Sequence, residues 1–466
     1  MKKIGLLASL LVFSSATFAQ SAYDALSINQ MDPILGTARY SAMAGAFGAL
    51  GGNASVSKDN PAGLGVYKKC DLTFTPSLYV DNDADVGFSL DNFALIVNFR
   101  NTGKEHGYVT SSLGITYNRL RNYSRYTAVA NKRNSSWSIT DVMGDDATSD
   151  VIYDNAVEFG LLSGTESEFG KDADYVDKNV RFKESGHAGQ WDISYGLNIS
   201  NRVYVGATMG LANFLYRQKA FYNETAAGDE MYLNNYLRSD GIGVNFKLGG
   251  IVRATDFLRV GFAIHTPTFY NVDETYAIEM DYNKQHPDRN VISEGFYNYD
   301  MNSPFKMQAS LGFVIAKRAL IGVEYGLENY SKMKLVDTEF DMKMDGECEI
   351  ISEKFDPSHQ LKFGAEVKVI DEFALRAGFA FLSSPIDAFS NKEANYGYFF
   401  RPMSLPHETY YITAGAGYEG EHFYCDLAYV FRNQKSSFYQ ILPLLDGAWS
   451  LNQRNHNVML SLGWRF

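Results

Sequence analysis

From Asp71 onward, apolar and polar residues alternate with a period of two over segment after segment. Trp191, Ile193, Tyr195, Leu197 and Ile199 interleave with Asp192, Ser194, Gly196 and Asn198. Phe305, Met307, Ala309, Leu311, Phe313 and Ile315 interleave with Lys306, Gln308, Ser310, Gly312 and Val314. The same pattern recurs at Leu258–His265, Glu372–Phe381 and Phe423–Phe431. About fourteen such segments fit between Asp71 and Phe466, an even number as in bacterial transmembrane barrels. A β-sandwich would bury the apolar set, whereas a barrel in a bilayer turns it to lipid and keeps the other set in the lumen. Connection lengths discriminate. Tight turns at Ser200-Asn201, Thr255-Asp256, Lys317-Arg318, Asp371-Glu372 and Gly420-Glu421 alternate with long polar stretches near 122–188, 221–235, 283–302, 337–356, 383–406 and 433–455. One rim of short turns and one of long loops is the outer-membrane arrangement. The expected fold is therefore all-β, an antiparallel transmembrane barrel of about fourteen strands over 70–466, with 122–188 as a long extracellular insertion.

Both ends fit this reading. The last segment runs Val458, Leu460, Leu462, Trp464, Phe466 on one face and ends on an aromatic. Trp464 and Phe466 suit an interfacial girdle, and the terminal Phe466 strand resembles the signal read by outer-membrane assembly machinery. Residues 1–19 read as an export signal: Lys2 and Lys3, an apolar run from Ile4 to Phe13, then Thr17-Phe18-Ala19 before Gln20.

Composition changes the picture little. Mean hydropathy of −0.22 would suggest a soluble chain, but alternating faces cancel in any window. The 31 Tyr and 32 Phe favour strands over helices. Net charge of −12 argues against a nucleic-acid partner. Cys70, Cys348 and Cys425 are scattered and odd in number, which excludes a disulfide framework and Cys-based metal spacing. Asp81, Asp83 and Asp85 invite a calcium reading, but Gly87 comes late and the twelfth-position Glu is missing, so an acidic hairpin tip is expected. No HExxH or GxSxG occurs, so neither a metal, a cofactor nor a catalytic residue is expected, and an enzyme is the weakest class.

Residues 20–69 do not read as strands. Leu35–Ser55 is small, apolar and glycine-rich, and Asn60-Pro61-Ala62 follows. Small residues suit close packing in a confined space, as in a plug inside a barrel. This run resembles the N-terminal hatch of the FadL/TodX family of outer-membrane transporters for hydrophobic compounds. Val260–Pro267 is similar to that family's mid-barrel strand ending near a proline, and Leu375-Arg376-Ala377-Gly378 followed by Ser384-Pro385 is similar to its late-strand pattern. Leu405-Pro406 before the next strand also fits. The resemblance implies a hatch within the barrel, passive diffusion of an apolar or fatty-acid-like ligand past it, and a lateral route at a kinked third strand near Tyr108–Leu120. The chain departs from the family at Gly51-Gly52-Asn53, where an acidic pair is often found, so ligand identity stays open.

An amphipathic ligand would need a cation for its head group and an apolar wall. By strand parity the lumen-facing basic residues are Lys247, Arg253, Arg259, Lys306, Lys362 and Arg376, opposite acids Glu324, Glu328, Glu366 and Asp426. Arg376, Lys306, Lys362 and Arg259 are the candidate ligand cations, and Phe47, Leu50 and Met43 the candidate apolar wall. Salt bridges holding the lumen together are the competing role for each cation, and packing against the barrel's inner face is the competing role for Phe47, Leu50 and Met43. The expected partners are a hydrophobic small molecule and outer-membrane lipid, and a monomer is expected. The rival readings are a surface docking or adhesin barrel, a secretion-associated barrel, and a hemin binder. A filled lumen would favour docking, and a continuous apolar tunnel would favour transport.

Overall fold

The computed structural model describes residues 22–466 apart from 82–85, 101–105, 136, 145–149, 172, 285–289, 339–341, 387–402 and 440–448. The expected export signal and most of the acidic triplet after Asp81 lie outside the described residues. Fourteen strands form one closed antiparallel sheet. They are β1 (Asp71–Asp81), β2 (Val86–Arg100), β3 (Tyr108–Asn122), β4 (Val176–Ile199), β5 (Val203–Ala226), β6 (Asp229–Arg253) and β7 (Leu258–His265 with Phe269–Tyr282). The second half comprises β8 (Val291–Asn302 with Phe305–Ile315), β9 (Ala319–Asn329), β10 (Pro357–Lys368), β11 (Phe373–Leu382), β12 (Met403–Glu419), β13 (Phe423–Tyr439) and β14 (Trp449–Arg465). Each pairs with its neighbour, and β14 closes on β1 from Asp71↔Arg465 to Asp81↔Asn455. Cys70 and Phe466 exchange two backbone hydrogen bonds at 3.0 and 3.2 Å below that seam.

The alternation resolves as a membrane protein requires. Trp191, Ile193, Tyr195, Leu211, Phe246, Leu248, Leu375 and Leu427 point outward and are exposed, while Asp192, Ser194, Thr208, Lys247 and Asp426 point inward and are buried. On β6, outward Ile242, Val244, Phe246, Leu248, Gly250 and Val252 make an unbroken apolar face. At 3.4 Å per residue and a tilt near 40°, that stretch rises about 25 Å along the membrane normal, the height of a bilayer-spanning band.

Two features differ from the sequence expectation. Residues 122–188 and 221–235 are not mainly loop. After a break at Tyr123-Ser124 the chain continues as strand Arg125–Ser135, pairing with the first part of β4, and β5 and β6 run on to a turn at Ala227-Gly228. Above the membrane the outward face meets water, so strand residues there are polar and read like loop. This extension carries helices α3 (Thr140–Met143) and α4 (Asp150–Glu158), whose Met143, Ile152 and Ala156 pack with Phe182, Tyr222 and Met231. Its core also encloses Lys178 and Glu224, both fully buried, with Lys178 Nζ 3.0 Å from the Trp137 ring centre. Finally, the strand leading into Pro267 does not end there. It breaks over Thr266-Pro267-Thr268 and resumes at Phe269, and β8 breaks beside it at Ser303-Pro304. Proline has no N–H to give to a ladder, so two adjacent prolines interrupt the sheet at one level.

Candidate functional site: the hatch and the lumen around it

Residues 22–67 sit inside the barrel as short helices joined by turns: α1 (Ala22–Asn29), α2 (Ala38–Ala42) and two 3-10 turns, Ala54–Lys58 and Pro61–Val66. Each of the last three starts at a polar side chain that accepts a free backbone N–H: Thr37 from Tyr40, Asn53 from Ser55, Asn60 from Ala62. Pro61 occupies the first position of its turn, where a missing N–H costs nothing. Asn60 Nδ2 also donates to the carbonyls of Gly48 (2.7 Å) and Gly250 on β6 (3.2 Å). The Asn60-Pro61-Ala62 motif thus ties the hatch to itself and to the wall.

The hatch rests on a ring of barrel glycines. Gly196, Gly206 and Gly249 face one another across β4–β6, and Gly312, Gly322, Gly364 and Gly378 do so across β8–β11. A Cβ at Gly206 would lie 2.6 Å from Ala62 N, at Gly312 2.9 Å from Leu50, and at Gly378 2.6 Å from Ala44 N. At Gly322 it would strike the Ala46 carbonyl, and at Gly249 the Asn60 side chain. At Gly206, Gly322 and Gly378 wall and plug meet backbone to backbone, which only glycine allows.

Above and below the ring, charged pairs fix the hatch. Arg376 bridges Glu366 and Asp426, at 2.6 Å each, and Arg39 of the hatch grips Glu366 through two bonds of 2.7 and 2.8 Å. Lys362 meets Glu324 at 2.9 Å, and Glu324 accepts the Gly48 N–H at 3.0 Å. Lys306 lies 3.0 Å from Glu328 and 4.0 Å from Asp59. Lys247 pairs with Asp192 at 2.9 Å, and Arg259 donates to the Leu50 carbonyl at 2.6 Å. All four candidate ligand cations are therefore already engaged, with a carboxylate or a hatch carbonyl. Met43, Phe47 and Leu50 are buried with Tyr40 and Val56 as the hatch's own core. Arg253 lies at a turn, against Asp256.

Strand parity identified these lumen residues but not their hatch partners. Asp59 accepts from the Tyr40 hydroxyl, and Lys58 Nζ donates to the Pro33 carbonyl at 3.0 Å. Burial brings the Lys58 ammonium down to about 8, with Asp59 opposing. Burial would raise Asp59, but Lys362, Lys58 and Lys306 hold it below the usual carboxylate range. Asp32 is a second anchor, receiving Arg121 (3.1 Å), Arg432 (3.2 Å) and the Tyr411 hydroxyl (2.6 Å). Nothing in the local sequence marks Asp32 or Asp59, because their partners lie on distant strands. His265 Nε2 is 2.6 Å from the Asp59 carbonyl and is a packed histidine.

Over the hatch, α1 fills an apolar chamber. Tyr23, Leu26 and Ile28 pack against Phe214, Tyr270, Val272, Tyr299, Met301 and Leu335 of the barrel, and the lid helix α5 (Asp345–Lys354) covers them with Ile351. The Ala22 N–H reaches Glu347 on that lid at 2.5 Å. Beside α1, at the level of the broken strands, lies a cavity of about 110 Å³ where Lys58, Asp59, Lys247, His265, Lys306 and Glu328 meet Met31, Leu120 and Tyr270. Beneath the hatch a vestibule of about 480 Å³ opens at the short-turn rim between Val66, Tyr67, Leu320, Arg39, Lys317 and Arg465. Lys306 alone of the candidate ligand residues lines either space.

The wall is also loosened at the seam between β2 and β3. β1 pairs with β2 as far as Val80↔Val86, but β2–β3 pairing stops at Asn92↔Asn118. Beyond that rung Val86–Asp91 has no ladder partner on the β3 side among the described residues. β3 shifts register against β4 at Arg119/Arg121.

A closed barrel with an apolar outer band, a hatch seated on lumen glycines and an apolar chamber above it defines an outer-membrane transport barrel. The sequence profile of the outer membrane protein transport protein family (OMPP1/FadL/TodX) matches residues 13–422, and the chain belongs to that family. Its place is the bacterial outer membrane. No curated protein sequence matches it. Solved structures share the fold at low identity. A Pseudomonas aeruginosa FadL homologue is 13% identical, with a TM-score of 0.55 over 94% of this chain and 99% of its own. The CymD monoaromatic hydrocarbon channel is 12% identical (TM-score 0.54, 94% and 98% covered). The P. putida toluene transporter TodX is 10% identical (TM-score 0.54, 93% and 99% covered).

Proposed function

We propose that this barrel admits an uncharged hydrophobic small molecule, of the size of a monoaromatic or short-chain hydrocarbon, into the chamber that α1 occupies. The observation that carries this reading is the chamber itself: apolar barrel walls enclose an eight-residue helix. So short a helix is not stable alone and holds its shape only by packing. A ligand offering the same apolar contact can replace it. The engaged lumen cations move the expectation away from a fatty-acid-like amphipath, since a carboxylate would have to displace Glu324, Glu328, Glu366 or Asp426 from its partner. Names of structural relatives, a toluene transporter and a monoaromatic hydrocarbon channel, support the same class. The seam between β2 and β3 is the proposed lateral route.

The filled lumen favours a second reading, in which the barrel is a platform and its folded extension docks a partner. Native mass spectrometry of the detergent-purified barrel with added toluene and with oleate separates the two. Stoichiometric toluene, with uptake into proteoliposomes, supports transport. Oleate in preference to toluene overturns the uncharged-ligand proposal, and a barrel that stays empty and impermeable to both favours docking.

A further inference from the structure

The outer wall of β4–β6 carries a second, unrelated feature. Just beyond the lipid-facing band, five cations point outward on three adjacent strands: Arg181 and Lys183 on β4, Arg217 and Lys219 on β5, Arg238 on β6. All five are exposed. Lys183 stands directly opposite Lys219, and Arg217 directly opposite Arg238. Like charges facing across a sheet repel, so two such rungs side by side weaken the ladder that holds them. Relief from within the protein is slight. Asp240 reaches Arg238 at 3.2 Å, and Arg181 and Lys219 lie over the rings of Phe221 and Tyr236 at 5.3 and 6.0 Å. Among the described residues Lys183 and Arg217 have no acidic partner. The nearby outward acids, Asp240, Asp273 and Glu279, belong to β6 and β7, and Glu279 is shared by Asn234 and Tyr236. In a chain of net charge −12, so dense a positive patch is a local exception.

Its height identifies what it meets. Arg217 follows Leu215 at the next outward position of β5, and Arg238 comes two outward positions after Ile242, the last apolar residue of the β6 band. Two outward positions rise about 10 Å along the normal of a tilted strand, which takes the patch from the acyl chains into the head groups. It lies on the long-loop side, so those head groups belong to the outer leaflet. That leaflet presents phosphorylated glucosamine lipid. Arginine forks bind phosphate oxygens in pairs, and lysines add point charge.

We propose that Arg181, Lys183, Arg217, Lys219 and Arg238 form a binding site for the phosphorylated head group of an outer-leaflet glycolipid, with its acyl chains lying along Leu211, Leu215 and Ile242. This lipid would neutralise the two repelling rungs and fix the barrel's height in the membrane. The site is independent of the lumen, so it stands or falls apart from the transport reading.

The test uses the full-length barrel in detergent, native mass spectrometry, and two probes: phosphorylated lipid A and the same lipid after enzymatic dephosphorylation. Wild type is expected to retain the phosphorylated form at least about tenfold more tightly, a difference that shrinks as salt rises. Lys183→Gln/Arg217→Gln/Lys219→Gln/Arg238→Gln should abolish that preference while ligand uptake is unchanged, and Lys183→Arg/Lys219→Arg should keep it. Folding of each variant is checked by heat-modifiable gel migration. Should the fourfold variant fail to fold, Lys183→Gln/Lys219→Gln carries the test. Equal retention of both lipids by wild type would overturn the proposal. So would full displacement by millimolar inorganic phosphate, which would make the patch a site for free anions.

Discussion

Gly322 and Gly364 face each other across β9 and β10, and each lies against the hatch backbone, at Ala46 and at Met43. A side chain at either position has nowhere to go but into the plug. Gly322→Val should therefore leave the barrel folded but unseat the hatch, seen as increased permeability of proteoliposomes to a small sugar. Gly326→Ala on the same strand, where the new Cβ would sit 3.4 Å from Gln360, should not change permeability. Arg376 presents the opposite case, a side chain that must stay. Arg376→Met leaves Asp426 unpaired and Glu366 with Arg39 alone, and should destabilise by about 3–5 kcal/mol in a urea titration followed by gel migration. Strand parity placed Arg376 in the lumen as a candidate ligand cation, among the acids Glu324, Glu328, Glu366 and Asp426, and the structure joins it to Glu366 and Asp426. The same parity put Gly196, Gly261, Gly312 and Gly378 inward, yet gave no reason for them. The reason is the hatch backbone, which comes from hundreds of residues away.

At the scale of elements, α1 is the piece most open to change. It is held by side-chain packing and by Tyr123, Tyr330 and Glu347 reaching its backbone ends. Leu26→Asp would bury an unpaired charge among Leu335, Tyr299 and their neighbours, which costs several kcal/mol. The expected result is displacement of α1, read as protease cleavage near Ala22–Asn29, with faster hydrocarbon uptake. Unchanged cleavage and slower uptake would contradict the chamber reading. The element the sequence placed least well is the extension. Its strands carry buried Tyr222, Phe182 and Met231 at period two, but their outward neighbours include Arg181, Lys183, Asn223 and Glu230, and polar content hid the strand.

For the molecule as a whole, the seam beside Asn92 and Asn118 is a place where, among the described residues, the wall stops being a continuous ladder in the outer half. Asn92 Nδ2 donates to Asn118 Oδ1 at 2.8 Å on the last rung. If hydrophobic ligand leaves sideways, locking this rung should block it. An Asn92→Cys/Asn118→Cys pair is expected to lose most uptake when oxidised and regain it with reductant. Equal uptake in both states would direct the route to the vestibule under the hatch instead.

The sequence by itself determined the barrel. Period-two alternation, the alternation of short and long connections and the aromatic last strand are local signals, each readable within a few residues, and together they give the strand number and the lipid face. It also determined that the described residues 22–69 are not strand and which basic residues face the lumen. Only the tertiary structure decided what those residues do. Whether Arg376 and Lys362 are free for a ligand depends on Glu366, Asp426 and Glu324 across the barrel, and on Arg39 and Gly48 in the hatch. That α1 fills the chamber, and that cations stack in repelling rungs on β4–β6, depends on strand register. Register is a long-range pairing, and alternation alone leaves it undetermined.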